Sequence, residues 1–466
     1  MTSDTTSSAH SPTDGAPTGT IGLWQGVALY VCAILGAGVL VLPGQAASLA
    51  GPASLLAWLF SALMGVPLAF TFAALASHFP DAGGVATYTA RAFGTAAGGV
   101  TGWWYFIAGS VGQTIVPLTA GYYVAAAVGL DQRWAPAFAA GVLLIAVLAN
   151  LAGMKISARV QIGLALGVAT ILIAVILVAL PQIELTTFSR FTPNGVAGIG
   201  QAVIILFFAF AGWEAIAHLS AEFRNVRRTL PLATLLTIVI VTALYLSVAF
   251  AVVGTGSYGT RALDRVSLGA IIQHGLGLSA VAVVAICAVV ICLGTTNAFV
   301  ASVSRLGYAL GRDGWAPRRL ARQNKNGVPG IAILAVGGIG AAGLIGSAVF
   351  DWGTDDIVFI PSVLVLTTYL LGSAAAIRIF TGTKRLVAVI AVIMLAVTVP
   401  FAGWHLVVPL VIAVLVVLRR LVGRLHPRSK EPPVNREEQI SRYELAEQLK
   451  RVRRDSLEWM RYRFHV

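Results

Sequence analysis

The sequence predicts an all-α integral membrane protein with twelve transmembrane helices. Of its 466 residues, 57% are hydrophobic and 11% are charged, whereas a soluble domain has about 25% charged residues. Apolar runs of about 20 residues recur along the chain, and each is long enough to cross a bilayer as a helix. Cys32, Cys287 and Cys292 lie within these runs, where they act as small hydrophobes. The pattern excludes a soluble enzyme and a disulfide-stapled secreted protein.

The candidate spans follow one another with short connections. They cover residues 22–49, 53–77, 98–127, 134–153, 159–180, 198–221, 231–254, 278–308, 329–350, 357–380, 385–401 and 403–421. Between spans, residues 78–94 are predicted to form a loop and residues 267–274 a small helix at the surface. We expect a turn at residues 400–403, which separate the last two spans.

Polar segments are predicted at both ends of a transmembrane domain that covers residues 21–422. Residues 1–20 are rich in Ser, Thr and Pro and lack the basic start and apolar centre of a signal peptide, so we expect a disordered tail. Residues 423–466 form a basic tail. Part of it has helical composition, and both an amphipathic helix on the membrane and a solvated charged helix remain open.

Basic residues predict the orientation of the chain. The loops on the side of the N-terminus hold fifteen Lys and Arg residues, and the loops on the other side hold four, which are Arg133, Arg190, Arg261 and Arg265. From Arg419 to the end there are thirteen more basic residues against seven acidic ones. The positive-inside rule therefore places both termini in the cytoplasm and the protein in the cytoplasmic (inner) membrane. The net charge of +13 is thus a topology signal, and no nucleic-acid partner is expected.

The first span contains an interruption. Gly36 and Gly38 remove side chains near mid-membrane, and Pro43 removes a backbone donor a turn later, so the helix can open and expose amides and carbonyls. A broken helix presents a positive end to an anion and a carbonyl end to a cation, which suits the two ends of a zwitterion. The alternative is that these glycines are close contacts between helices.

The sixth span carries the one acidic residue that lies well inside a predicted span. Glu214 is costly at that depth unless it is paired, protonated or hydrated, and His218 lies four residues on, one helical turn away. The pair could accept or pass a proton. A structural role for each residue remains open.

Spans one and six occupy corresponding positions in two sets of five. Broken helices at such positions are typical of a transporter built from inverted repeats. We therefore predict a five-plus-five inverted repeat, with repeat one at about 22–180, repeat two at about 198–380 and extra helices at about 385–421.

Several motifs resemble those of one family. They are the Leu35-Gly36-Ala37-Gly38 break, the loop at residues 79–85, the stretches 210–214 and 220–225, and the stretch 304–314 at the end of span eight. In this order they are similar to the amino acid–polyamine–organocation (APC) superfamily over nearly all of residues 20–420. Residues 218–223 and 83–86 look closest to bacterial exporters of methionine and branched-chain amino acids. The resemblance implies a LeuT-like fold with broken helices 1 and 6.

The resemblance also implies a substrate site. The amides of Gly36, Ala37 and Gly38 would bind the substrate carboxylate. The substrate amino group would be held by backbone carbonyls, those of Ala33, Ile34, Phe208 and Ala211. An aromatic residue of span six, Phe208 or Phe210, would close over the substrate as a gate. The candidates for the pocket of the substrate side chain are Ile107, Gln113, Trp213, Thr296 and Tyr369.

The residues favour a neutral, apolar amino acid as substrate, since a charged side chain would find no partner at membrane depth. For coupling, proton transfer through Glu214 and His218 is favoured. One alternative is sodium binding by the hydroxyl groups of span eight, which belong to Thr295, Thr296, Ser302 and Ser304. The other alternative is substrate exchange without a coupling ion. In some relatives, a Lys in the middle of span five takes the place of a sodium ion, but residues 158–180 contain no Lys here. Lys155 lies at the edge of the span and is interpreted as one of the basic residues that set the orientation.

These expectations describe a secondary active transporter that works by alternating access, as an exporter. No nucleophile elbow or ligand cluster of an intramembrane enzyme is present in the sequence, so we expect neither catalysis nor a metal or cofactor beyond H⁺ or Na⁺ as coupling ion. The expected partners are an amino acid and the bilayer, with the protein as monomer or homodimer. The alternatives are an amino-acid-sensing transceptor that signals through the C-terminal tail, and an exchanger or importer of other amino acids or amines.

Overall fold

The computed structural model describes residues 22–79, 84–154, 158–212 and 226–425. Within these ranges the chain is α-helical, with short 3₁₀ turns and loops and no β-strand. The helices are α1 Leu23–Ile34, α2 Gly38–Ala50, α3 Ser54–His78, α4 Val85–Phe93, α5 Thr95–Ala127, α6 Ala135–Leu151, α7 Ala158–Ala179, α8 Gly195–Leu206, α9 Val226–Gly254, α10 Arg261–Asp264, α11 Ser267–Leu276, α12 Leu278–Arg312, α13 Gly330–Phe350, α14 Thr354–Ile357, α15 Phe359–Ile379, α16 Gly382–Thr398 and α17 Val407–Leu425.

The structure confirms an all-helical protein with many membrane spans. Eight segments of the described chain are long and apolar enough to cross a bilayer. Two of them, Gly38–His78 and Gly382–Val422, have 41 residues each and include two successive helices. Helix α5 has 33 residues, among them many Gly, Thr and aromatic residues, and it is not one of the eight segments. The count of twelve spans stays a prediction.

Two of the segments between spans are helical. Residues 78–94 are not the predicted loop throughout, because α4 lies between Gly84 and Gly94, two glycines with positive φ of 53° and 94°. Its residues Val85 and Tyr88 are buried, which explains why an amphipathic helix forms there. The helix predicted at 267–274 is α11, and it buries one face rather than lying free at the surface.

Helix α5 lies at the centre of the bundle and packs against α4, α6, α12, α13 and α15. Glycines permit these close approaches. A Cβ atom on Gly102 of α5 would lie 2.7 Å from Leu310 Cδ2 of α12, and one on Gly340 of α13 would lie 2.9 Å from Gln113 Cβ of α5. Small residues are the usual means by which membrane helices come together.

The described residues end at Leu425, the last residue of α17. The first compact unit of the chain ends at Val417, and the second unit is Leu418–Val466. The structure describes only the end of α17 from this second unit. The predicted N-terminal tail and most of the predicted C-terminal tail lie outside the described residues.

Candidate functional site

The first predicted interruption is a break between α1 and α2. Helix α1 ends at Ile34, the Gly36 N–H donates to the Ile34 carbonyl at 2.7 Å, and α2 begins at Gly38 without a side-chain cap at Ala37. Pro43 lies inside α2 and does not end it. The first amides of a helix have no intrahelical acceptor, so α2 presents its partial positive charge at the break.

The second interruption follows α8. This helix ends at Leu206, and the N–H groups of Phe207, Phe208 and Ala209 donate to carbonyls three residues back at 2.9–3.2 Å. The chain then reaches Gly212, which has a φ of 126°. Trp213, Glu214 and His218 were predicted as site residues and lie outside the described residues.

A small cavity of about 40 Å³ lies where the two breaks meet, below the usual range of about 300–1,000 Å³ for ligand sites. It brings together residues predicted from both spans, from α5 and from α12. These are Ile34, Gly36, Ala37, Gly38, Gln113, Phe208, Ala211 and Thr295. No charged side chain of the described chain lines it.

Phe210, Tyr369, Thr296 and Ile107 do not line this cavity. Phe210 is buried, with its ring 6.0 Å from Trp58 and 5.3 Å from Tyr245. Tyr369 accepts a hydrogen bond from the Gly212 N–H at 3.2 Å. Thr296 is buried on α12, Ile107 lies on α5 and Ala33 lies in the last turn of α1. Of the two proposed gate residues, Phe208 is therefore the one that faces the cavity.

Glycines bring the breaks close to their neighbours. A Cβ atom on Gly38 would lie 3.4 Å from the Cα of Ala209, and one on Gly36 would lie 3.5 Å from Thr295 Cγ2. A Cβ atom on Gly112 of α5 would lie 3.4 Å from the Phe208 ring. A larger side chain at Gly38 would therefore push the chain that follows α8 away from the start of α2.

Tyrosine hydroxyls hold the ends of the broken helices. The Tyr245 hydroxyl of α9 is 2.9 Å from the Ile34 carbonyl and 3.3 Å from the Ala209 carbonyl, so its one proton is shared between the two breaks. The Tyr123 hydroxyl of α5 donates to the Leu40 carbonyl at 2.8 Å. Sequence reasoning missed these residues, although a Tyr in an apolar run signals a hydroxyl that needs a partner.

One face of α5 was also missed. The additional lining residues are Tyr105, Ala108, Gly109, Gly112 and Val116 of α5, together with Ala209, Phe299, Pro361 and Val365. With Gln113, those of α5 recur at intervals of three and four residues, which is the spacing of one helical face. That spacing of small residues was the available signal.

Gln113 is the buried polar side chain on this face. It is fully buried, and its Nε2 donates to the Gly109 carbonyl at 3.0 Å. Its Oε1 has no hydrogen-bond partner in the described chain. A buried acceptor without a donor is costly, and Gln113 is one of the residues that line the cavity.

Comparison with known proteins identifies the fold family. A family model described as amino acid permease matches residues 21–428. The chain belongs to the amino acid permease family. This permease is therefore a multi-pass membrane transporter of amino acids and not an enzyme, and membership implies a LeuT-like fold.

Three relatives illustrate the similarity. The permease is 32% identical over 394 residues to "Uncharacterized amino acid permease YecA" of Bacillus subtilis, which covers 84% of this chain and 92% of that protein. It is 27% identical over 398 residues to the "L-methionine/branched-chain amino acid exporter YjeH" of Escherichia coli, with 82% and 92% covered. It is 29% identical over 343 residues to the "Branched-chain amino acid permease BcaP" of Lactococcus lactis, with 66% and 73% covered.

Proposed function

We propose that this permease is a secondary active transporter that exports neutral, apolar amino acids of the methionine and branched-chain type. The observation that carries the proposal is the cavity between the two helix breaks, because it pairs helix ends of opposite partial charge with an apolar lining. These ends would hold a zwitterion without formal charges. The printed names of two relatives, an exporter and a branched-chain permease, support the substrate class.

The proposed mechanism is alternating access in a twelve-span, five-plus-five inverted repeat with both termini in the cytoplasm. In it, the amides of Gly36, Ala37 and Gly38 bind the substrate carboxylate, carbonyls near Ile34 and Phe208 bind the ammonium, and the Phe208 ring covers the substrate. Glu214 and His218 carry the proton that drives export. Sodium binding at Thr295 and Thr296 is the alternative, since Thr296 Oγ1 is buried without a partner in the described chain.

Counterflow in proteoliposomes tests the proposal. We expect labelled methionine and leucine to exchange and an imposed pH gradient, but not a sodium gradient, to drive their accumulation. Gly38→Leu should abolish flux, because its side chain would meet the backbone of Ala209. Gly163→Leu is the control, since a Cβ atom there meets nothing within 4 Å.

The outcomes separate the parts of the proposal. If no amino acid moves, or if Gly38→Leu behaves like the parent, the substrate site is wrong. If flux persists and Glu214→Gln retains the pH dependence, the proton role alone is lost. Preferential uptake into everted vesicles would support export, and the opposite preference would indicate an importer.

A further inference from the structure

An open apolar groove of about 730 Å³ lies between α6 and α13, outside the candidate substrate site. Small residues, among them Ala140, Gly338 and Ala341, line it. A Cβ atom on Gly338 would meet nothing within 4 Å. Larger side chains that line the groove, Leu144 and Ile345, are 58% and 63% exposed. The surface is therefore concave between large apolar side chains.

The groove has the length of a lipid chain. Its lining runs from residue 136 to residue 147 on α6 and from residue 334 to residue 348 on α13, which is roughly 17–21 Å at a helical rise of 1.5 Å per residue. One leaflet of a bilayer contributes about 15 Å of hydrocarbon. An acyl chain parallel to the helices would thus be covered along its whole length.

One end of the groove is basic and aromatic. Arg133 and Trp134 line it, and Trp134 is half exposed. Trp at such a position is typical of the membrane–water interface. The Asp131 carboxylate accepts from the Arg133 backbone N–H at 2.8 Å, and no carboxylate in the described ranges pairs with the Arg133 guanidinium. The guanidinium can therefore make two hydrogen bonds to a phosphate.

We propose that this groove binds an anionic glycerophospholipid, with one acyl chain between α6 and α13 and the phosphate on Arg133. A second copy of the chain fits less well. Twofold pairing through the groove would set two concave surfaces and two Arg133 residues face to face, leaving a void and a like-charge contact. A second apolar groove, which includes Leu56, Ile176 and Phe250, has no charged lining residue, so headgroup selectivity should come from the first.

Native mass spectrometry of the delipidated full-length protein with phosphatidylglycerol or phosphatidylethanolamine tests the proposal. We expect one tight phosphatidylglycerol adduct. Gly338→Leu and Ala341→Phe, which fill the groove, should each weaken that adduct at least about fivefold, or about 1 kcal/mol. Arg133→Gln should remove the preference for phosphatidylglycerol, because the guanidinium attracts the phosphate of both lipids but repels the ammonium group of phosphatidylethanolamine.

The controls lie nearby. Gly141→Leu changes another glycine with open space, on α6 outside the groove lining, and Arg190→Gln removes another basic residue of the predicted outer side; both should bind like the parent. The proposal is overturned if the filling variants keep the adduct, if Arg133→Gln keeps the headgroup preference, or if the filling variants reduce a dimer instead. None of these results depends on transport.

Discussion

Tyr245 is the side chain that joins the two helix breaks. It lies on α9, its hydroxyl faces the carbonyls of Ile34 and Ala209, and its ring packs edge-on against Trp58 at 4.9 Å. Because these carbonyls sit where α1 and α8 end, a small displacement of either would change the geometry offered to a substrate. A packed ring and a shared hydroxyl thus determine the spacing of the site.

Tyr245→Phe should weaken substrate affinity about fivefold, since a net hydrogen bond contributes about 1 kcal/mol, while lowering stability by a similar amount. Tyr30→Phe is the matched control. It removes a buried hydroxyl that accepts from Thr234 at 2.9 Å, also between α1 and α9, but away from the breaks. Substrate affinity and thermal unfolding are measured on the purified variants. Both variants should lose stability, and only Tyr245→Phe should lose affinity. Equal affinities in the parent and Tyr245→Phe would contradict a positioning role.

Gln113 is expected to lower the stability of the ligand-free protein while strengthening substrate binding. Gln113→Leu removes a buried, unsatisfied Oε1, which relieves about 1–3 kcal/mol of desolvation and offsets the loss of one hydrogen bond worth about 1 kcal/mol. We expect the ligand-free variant to be at least as stable as the parent and to bind substrate about tenfold more weakly. Thr114→Val is the control: it removes a buried hydroxyl that bonds the Gly340 carbonyl outside the cavity lining, so stability should fall and affinity should not. The opposite pattern would exclude a substrate contact at Gln113.

At the scale of elements, charged side chains connect α10 and its flanks to α14. Arg265 is 6% exposed and pairs with Asp355 at 2.9 Å, with its guanidinium 4.9 Å from the centre of the Tyr122 ring. Arg261 pairs with Asp355 and Asp356 at 3.2 Å and 2.9 Å. These bonds link residues 90 or more positions apart, so they fix two otherwise separate connections against each other.

Asp355→Asn should destabilise the protein by about 3 kcal/mol, because it leaves the buried Arg265 guanidinium without its partner. Asp313→Asn breaks an exposed pair with Arg312, whose side chains are 59% and 52% exposed, and should cost only about 0–1 kcal/mol. Unfolding in detergent measures both. Equal effects would show that burial of Arg265 has no energetic consequence.

Asp264 should make the stability of the folded protein depend on pH. It accepts from the Ser48 hydroxyl at 2.6 Å and from the Gly259 N–H at 2.8 Å. Burial raises the pKa of its carboxyl, and these hydrogen bonds oppose the shift. The folded protein therefore holds this proton more tightly than the unfolded chain, so the stabilisation is complete below the unfolded pKa and is lost as pH rises through the folded pKa.

The melting temperature of the parent relative to Asp264→Asn should therefore rise as pH is lowered from neutral to about 4, the ordinary Asp range. Thermal unfolding of both proteins across this interval measures the difference. A constant difference, or one that becomes smaller as pH is lowered, would contradict the assigned cause.

At the scale of the whole molecule, the predicted orientation and the predicted number of spans are linked. An even number of spans would put both termini on one side, and the Lys and Arg distribution predicts that this side is the cytoplasm. Green fluorescent protein fused after Val466 should be fluorescent, and alkaline phosphatase fused after Trp134 or after Arg261 should be active outside. A dark fusion at Val466 with an active phosphatase there would show an odd number of spans.

Parts of the site could be read from local chemistry. Gly36 and Gly38 mark a break because backbone freedom is a local property, and α1 and α2 do separate there. Glu214 and His218 are conspicuous by charge, but they lie outside the described residues, so their roles stay predictions. Phe208 and Phe210 look equivalent in sequence. Which of them reaches the cavity depends on where α5 and α9 pack.

The sequence by itself determined that the protein is a helical, multi-span membrane protein, because length and hydropathy are additive along a chain. It also determined the family, and Gly36 and Gly38 predicted the position of the first break. The tertiary structure decided which residues share a cavity, which face of α5 lines it and which hydroxyls hold the breaks. In a chain that is apolar nearly everywhere, hydropathy does not distinguish a face that meets lipid from one that meets another helix. Only the packing of α5 between its neighbours makes that distinction.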